Sequence, residues 1–289
     1  MYGAVAIVGV GLIGASIGLA LKERGLCRRV VGVGRRPGPL EVAMQRGAID
    51  GAAATVGPEV ADAELAVVCA PVDRIAGLVK RLQAVLPPTS VVTDAGSTKR
   101  NIVSRVGAAA GRAEFVGGHP LAGSHRDGPE AADARLFVDR VCVVTPSESN
   151  TAKAVERVRT FWESLGMSVH TMSPAAHDEV LARTSHLPHV AAFALALSVE
   201  EADLPLTASG FRDATRLAAS RPALWSAILH ENRDAVLKAV DRYLERLAAL
   251  REAIDEEDAV RLENLLHDAK RIRDRLGDQL GAPSGGTRL

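Results

Sequence analysis

The sequence is poor in cysteine, with only Cys27, Cys69 and Cys142, widely separated and odd in number. These three make neither a disulfide framework nor the Cys-x-x-Cys spacing of a metal site, so a reducing compartment is the natural reading. Net charge is lacking as well, because 35 basic side chains are balanced by 35 acidic ones. A chain without an overall field has little to draw it to nucleic acid or to an anionic membrane. No apolar run approaches the roughly 20 residues that span a bilayer. The nearest, around residues 190–199, reads as a buried helix. No charged n-region followed by an apolar h-region precedes the first strand pattern. No set of His, Cys, Asp and Glu has metal-ligand spacing, so no metal is expected. These absences describe a soluble, cytoplasmic chain whose partners are small molecules.

What remains is the composition of an ordinary globular enzyme: 289 residues, 47% hydrophobic and 24% charged, a comfortable length for two domains. The chain has two rhythms. Up to about residue 173, short apolar runs at residues 4–8, 30–33, 65–70, 90–93, 114–116, 141–145 and 168–171 alternate with helical patterns at 14–24, 73–85 and 151–165. The runs are continuous in Val, Ala and Leu rather than alternating, as in strands buried on both faces of a parallel sheet. This pattern predicts an α/β class, a Rossmann-like doubly wound sheet over residues 1–173. From Pro174 the strand signals stop. Residues 177–201 read as a helix that Pro188 should kink or break. Apolar residues then recur at three and four from Val236 to Ile254 and from Leu262 to Leu276. An all-α domain over 174–280 is expected, its broad apolar faces either joining two copies or packing on the first half. A Gly- and Pro-rich tail over 281–289 should be disordered.

The strongest local pattern is Gly9-Val-Gly11-Leu12-Ile13-Gly14. It follows an apolar strand and opens an apolar helix, which is the context that makes a Gly-x-Gly-x-x-Gly turn a dinucleotide site. Gly9 allows the tight turn, Gly11 lets a pyrophosphate approach the backbone, and Gly14 lets helix and strand pack closely. The phosphates would meet the unpaired N–H groups of the helix start, with Leu12 and Ile13 in its first turn. An NAD enzyme usually carries an acid at the end of the second strand to hold the ribose 2′-hydroxyl. Here that place reads Val33-Gly34-Arg35-Arg36. Guanidinium groups match a 2′-phosphate, so Arg35 and Arg36 favour NADP, with NAD as the alternative if both are solvated loop charges. The exit Cys69-Ala70-Pro71 lies either beside the nicotinamide half of the cofactor or at an ordinary strand end.

Two polar segments end apolar strands, where ligands sit in doubly wound sheets. In Asp94-Ala-Gly-Ser97-Thr-Lys99, Asp94 or Ser97 either caps the next helix or takes part in chemistry. In Gly117-Gly-His119-Pro-Leu-Ala-Gly123, His119 is a candidate general acid or base, since histidine titrates near working pH. The helical half adds Ser185-His186-Leu-Pro-His189, with Ser185 and His189 on one helix face, and Gly210-Phe-Arg212-Asp-Ala-Thr-Arg216, followed by Trp225.

Taken together and in order, GVGLIG, DAGSTK, GGHPLAG, SHLPH and GFRDATR followed by LW resemble the prephenate/arogenate dehydrogenase family of tyrosine biosynthesis, over roughly residues 4–276. The resemblance implies a Rossmann-like domain, a helical substrate and dimerisation domain, a homodimer, and oxidative decarboxylation of prephenate or arogenate with hydride transfer to NAD(P). Within it, His119 matches the histidine that accepts the hydroxyl proton, and Ser97 a serine near that hydroxyl and the nicotinamide. Arg216 matches the arginine that pairs with a substrate carboxylate, and His189 a second substrate-side histidine. Trp225 matches a tryptophan near the site, contributed from its own chain or across the dimer; Ser185 is expected on the substrate side. Where many members have Glu after the HPLAG-Ser/Thr stretch, this chain has His125 after Ser124, which leaves substrate choice open. No chorismate mutase segment or separate regulatory domain is expected, so competition by tyrosine at the active site stays open. A β-hydroxyacid dehydrogenase or imine reductase of the same plan is the enzymic alternative. The lysine that the hydroxyacid enzymes use is missing from residues 177–201. An NADP-sensing dimer without turnover is the non-enzymic one.

Overall fold

The structure is a computed structural model that describes residues 1–108, 112–123 and 126–281. Ser124, His125 and the expected tail beyond residue 281 lie outside the described residues. The chain forms two compact units, Met1–Val236 and Leu237–Leu289.

In the first unit, strands β1 (Tyr2–Val8), β2 (Cys27–Val33), β3 (Gly51–Ala53), β4 (Leu65–Val68), β5 (Val91–Asp94) and β6 (Glu114–Phe115) form one sheet in the order β3-β2-β1-β4-β5-β6. All five pairings are parallel. This is the strand order of a dinucleotide-binding sheet, with its reversal between β1 and β4. The continuous apolar runs have a direct cause. Along β1, Val5 and Ile7 enter a core shared with Phe161 and Trp162, while Ala4, Ala6 and Val8 enter the core on the opposite face with Ile75, Val79 and Leu82. Helices α1 (Leu12–Glu23), α2 (Pro37–Gln45), α3 (Val72–Val85), α4 (Arg100–Val106) and α5 (Ala152–Ser164) connect or cover these strands.

The sheet departs from expectation in two places. β3 has only the residues Gly-Ala-Ala, too short and too small to give a strand signal. The polar segment expected at the end of the 114–116 strand is itself strand β7 (Gly117–Pro120), antiparallel to β8 (Val141–Thr145), which is parallel to β9 (Ser168–Thr171). The runs at 141–145 and 168–171 therefore belong to a second, three-stranded sheet rather than extending the first. Glycine and proline hid β7, because neither favours a strand interior.

Beyond β9 the first unit is helical: α6 (Pro174–Leu181), a π turn at Ala182–His186, α7 (Leu187–Leu197), α8 (Ser209–Thr215) and α9 (Pro222–Glu231). The break anticipated at Pro188 falls just before it, as a π turn that places the proline in the first turn of α7. There its missing N–H leaves no interior hydrogen bond unmade. α10 (Arg233–Asp255) begins in the first unit.

The second unit holds the remainder of α10 and α11 (Ala259–Gly281). Its turn has Glu257 at φ 53°, and Asp258 accepts the Arg261 backbone N–H at 2.9 Å. The Arg261 guanidinium reaches Glu252 and Glu256 at 2.9 and 3.1 Å. Leu244, Leu247, Ile254, Val260, Leu266 and Ile272 are exposed. Among the described residues no helix is long and apolar enough to cross a membrane.

Candidate active site

The glycine turn has the shape its sequence requires. Gly9 sits at φ +97°, and a Cβ there would strike the Cys69 carbonyl. Gly14 packs against the Gly9 carbonyl, where no Cβ fits either. Gly11 differs: a Cβ there would meet nothing within 4 Å, so the space before the helix is open. Gly11 is also the N-cap of α1, with no side-chain cap and no acid in the first turn. An open, uncapped helix start of positive potential fits the pyrophosphate of a dinucleotide. Leu12 and Ile13 form the first turn and are half-buried.

Neighbouring strand ends gather around this turn. The Gly9 N–H bonds Val33 O at 2.8 Å, fixing the end of β2 beside it, and Arg35 and Arg36 follow as exposed side chains with Arg36 capping α2. The Cys69 N–H bonds Val8 O at 2.7 Å, which brings Ala70 and Pro71 to the same edge, with Pro71 starting α3.

The end of β5 is organised by a buried ion pair. Lys99 and Asp94 are both fully buried, and the Lys99 ammonium bonds the Asp94 carboxylate and donates to Gly118 O at 2.7 Å. Asp94 in turn accepts the N–H groups of Gly96 at 2.9 Å and Gly118 at 3.0 Å. Both polar backbone atoms of Gly118 are thereby held, and with them the strand that carries His119. Gly118 has no room for a side chain, since a Cβ would lie 2.8 Å from Trp162 Nε1. Burial pulls the Lys99 amine down from its usual range, against the attraction of Asp94. Ser97 stands partly exposed in the loop between these anchors.

Neither Asp94 nor Ser97 caps α4, as the sequence alone allowed. The cap comes from α6: the Asp178 carboxylate accepts the N–H groups of Lys99 and Arg100 at 2.8 and 2.9 Å. The same carboxylate bonds His177 Nδ1 at 2.7 Å, and His177 Nε2 lies 2.8 Å from His119 Nδ1. His177, Asp178 and Lys99 were invisible as a group in the sequence, because 58 residues separate the two histidines.

The helical segment adds a cluster of its own. Trp225 is buried and stacks on His189 with ring centroids 3.4 Å apart and planes at 22°, within one chain. The His189 Nδ1–H donates to the Ser185 carbonyl at 2.9 Å, so Ser185 enters through its backbone, orienting that ring. His186, fully buried, faces Trp225 edge-on at 6.0 Å. Asn232 spends both amide hydrogens here, on Asp178 O at 2.8 Å and His186 Nδ1 at 3.1 Å. Asn232 had no sequence signal, being one amide at the α9–α10 junction. Arg216 is exposed in the short turn after α8.

The electrostatics tie these residues into one site. Burial, then the charges of His177, Lys99 and His186, holds His119 well below the usual histidine range. Burial lowers His177 against the pull of Asp178. Burial pushes His186 down to about 4, with His177 and His189 adding to it against Asp178. Burial lowers His189, with Arg216 adding to it against the Ser185 carbonyl bond. His119 is thus within electrostatic reach of His177 and His186, His186 of His189, and His189 of Arg216, and a neutral His119 is available as a base.

A parallel sheet with an open glycine turn, and a buried neutral histidine at its edge, define a nicotinamide-dependent dehydrogenase. The chain belongs to the prephenate dehydrogenase family: the nucleotide-binding domain of that family matches residues 17–171 and its dimerization domain residues 173–268. Prephenate dehydrogenase of Bacillus subtilis is 33% identical over 284 residues, covering 96% of this chain and 76% of its own length. The crystal structure of prephenate dehydrogenase from A. aeolicus, in complex with hydroxyphenyl propionate and NAD+, has a TM-score of 0.87 at 32% identity over 95% of this chain and 98% of that one. Synechocystis arogenate dehydrogenase gives 0.82 at 31% identity, over 94% and 99%. A 3-hydroxyisobutyrate dehydrogenase from Salmonella typhimurium shares the fold at 14% identity and a TM-score of 0.57.

The depressed histidines make folding pH-dependent with a definite sign. Below about pH 6.5 the unfolded chain takes up protons that the folded His119, His177 and His186 refuse, so stability is full above that pH and falls as pH drops through it. The urea midpoint should therefore fall between pH 7.5 and 5.5, ahead of most carboxylate titration. A midpoint constant over that interval would contradict the assignment.

Proposed function

We propose that this chain catalyses the oxidative decarboxylation of prephenate or arogenate, with NADP as the preferred hydride acceptor, as a cytoplasmic homodimer. The observation that carries the reading is the buried, neutral His119, held on β7 by the Asp94–Lys99 pair and linked electrostatically to His186, which packs edge-on against the Trp225 that stacks on His189. When bound, the nicotinamide supplies the acceptor for the hydride from C4 of the substrate ring. His119 takes the proton of the C4 hydroxyl as that bond's electrons form the C4 carbonyl. Loss of the ring carboxylate as CO2 then returns electrons to this oxygen, and His119 gives its proton back to yield the phenol. The proton is borrowed and returned, so no net acid is made at the ring. Ser97 donates a hydrogen bond toward the same hydroxyl. Arg216 presents a planar fork to a substrate carboxylate, and no described carboxylate pairs with it. The His189–Trp225 stack forms a rigid wall on the substrate side, oriented by Ser185.

Each finer part has its own support. The preference for NADP rests on Arg35 and Arg36, exposed at the β2 end that Gly9 holds, where no acid stands to meet a ribose hydroxyl. Cofactor contacts are assigned to Gly9, Gly11, Leu12, Ile13, Gly14, Ala70 and Pro71. The homodimer rests on the exposed apolar residues of α10 and α11, more apolar surface than a solitary helix pair leaves in water. The boundary near residue 173 is proposed as the division of labour between cofactor and substrate.

The deciding experiment is reduced-nicotinamide absorbance with prephenate and arogenate, each with NAD and NADP. Turnover is expected, and His119→Asn should cut kcat by a factor on the order of 10²–10⁴ with cofactor affinity kept. Silence in all four combinations would overturn the reading. Arg35→Ala should lower the kcat/KM with NADP far more than that with NAD; equal losses would detach Arg35 from the 2′-phosphate. Sedimentation equilibrium should give twice the 30.4 kDa chain mass, and a monomer would refute the dimer.

A further inference from the structure

Histidine can act as a base through either ring nitrogen, and which one is free depends on what the other bonds. Around His119 that choice is made by a chain of three side chains. At its far end Asp178 accepts two backbone N–H bonds, from Lys99 and Arg100, as well as the bond to His177 Nδ1. A carboxylate so engaged only accepts, so His177 Nδ1 is the donor. A neutral His177 then has a lone pair on Nε2, and that nitrogen lies 2.8 Å from His119 Nδ1. The His119 proton must therefore sit on Nδ1, which leaves the Nε2 lone pair as the basic site.

The rings are not loosely placed. Their planes meet at 64° with centroids 5.1 Å apart, a geometry in which the edge of one imidazole points at the other. His177 is fully buried and Asp178 nearly so, and Asn232 bonds the Asp178 backbone carbonyl. Nothing in forming a helix requires this arrangement, since α6 already has its own N-cap in Ser173, which accepts the Ala176 N–H at 3.2 Å. Two adjacent residues, one reaching α4 and the other reaching β7, give α6 a role in the chemistry of the strand it covers.

We propose that His177, oriented by Asp178, is a positioning residue that fixes His119 in its Nδ1–H form and so aims the Nε2 lone pair at the substrate hydroxyl. This rests on His119 being the base. It goes further in naming the acceptor that keeps that base in its working tautomer. When His119 takes up the hydroxyl proton, the Nδ1–H bond to His177 strengthens, and the new positive charge is shared toward the Asp178 carboxylate. Without the acceptor, His119 divides between two tautomers, and the form with a proton on Nε2 cannot act.

Two variants and one spectrum test this. His177→Phe removes the acceptor and keeps a ring, and should lower kcat on the order of 10²-fold with KM and NADPH affinity unchanged. His177→Gln can accept from Nδ1–H through its amide oxygen and should restore kcat to within about ten-fold of the parent. A His177→Phe enzyme within about three-fold of the parent, or a Gln variant as impaired as the Phe variant, overturns the proposal. So does a KM that moves as much as kcat. Nitrogen-15 spectra of the histidine rings at pH 7.5 read the tautomer without substrate, so they stand apart from the identity of the reaction and from any folding defect in His177→Phe. The parent protein should show His119 protonated at Nδ1 and bare at Nε2, and the opposite pattern refutes the assignment.

Discussion

The buried contact between Lys99 and Asp94 is the interaction on which the site's geometry depends. Removing two charges from water carries a large desolvation cost, recovered only when the pair is well formed and its remaining hydrogen-bonding capacity is used. Here it is used on backbone: Asp94 takes Gly96 and Gly118 N–H groups, and Lys99 donates to Gly118 O. The pair therefore locks the place where the chain leaves the parallel sheet and begins the second one. His119 is the next residue, so its position follows from electrostatics two side chains away. The backbone there has no freedom, because Gly118 is enclosed by Trp162, Thr93 and the Asp94 carbonyl.

That arrangement explains how a histidine is kept neutral in a buried place. Burial and the nearby charges of His177, Lys99 and His186 all oppose an imidazolium. A histidine prepared in this way is neutral across the physiological range. The His186, His189 and Trp225 cluster is built on the same principle with different residues. Ser185 and Asn232 each spend backbone or amide groups on holding one histidine, so His189 and His186 present fixed faces rather than searching rotamers.

Much of this was legible in the sequence, and the reason is locality. The glycine turn, the continuous apolar strands and the helical second half depend on residues close in the chain, and each has a period or a spacing to read. The second sheet was missed because β7 is Gly-Gly-His-Pro, a strand held by its neighbours rather than by its own propensity. His119 was found from its setting among glycines, but its partner was not, since His177 and Asp178 lie in a different helix and carry no motif of their own. Asp94 and Lys99 were visible as polar residues at a strand end. Their mutual burial was not, because only the folded chain puts Gly118 between them. Ser124 and His125 lie outside the described residues.

Asp178 has a consequence for how such an enzyme changes over generations. One carboxylate closes the start of α4 and bonds the His177 ring that lies against His119. A drift to asparagine supplies one acceptor oxygen where three bonds must be satisfied, and a drift to glutamate moves the group by a methylene. Neither change keeps all three bonds, so the start of α4 and the seating of His177 stand or fall on the same carboxylate.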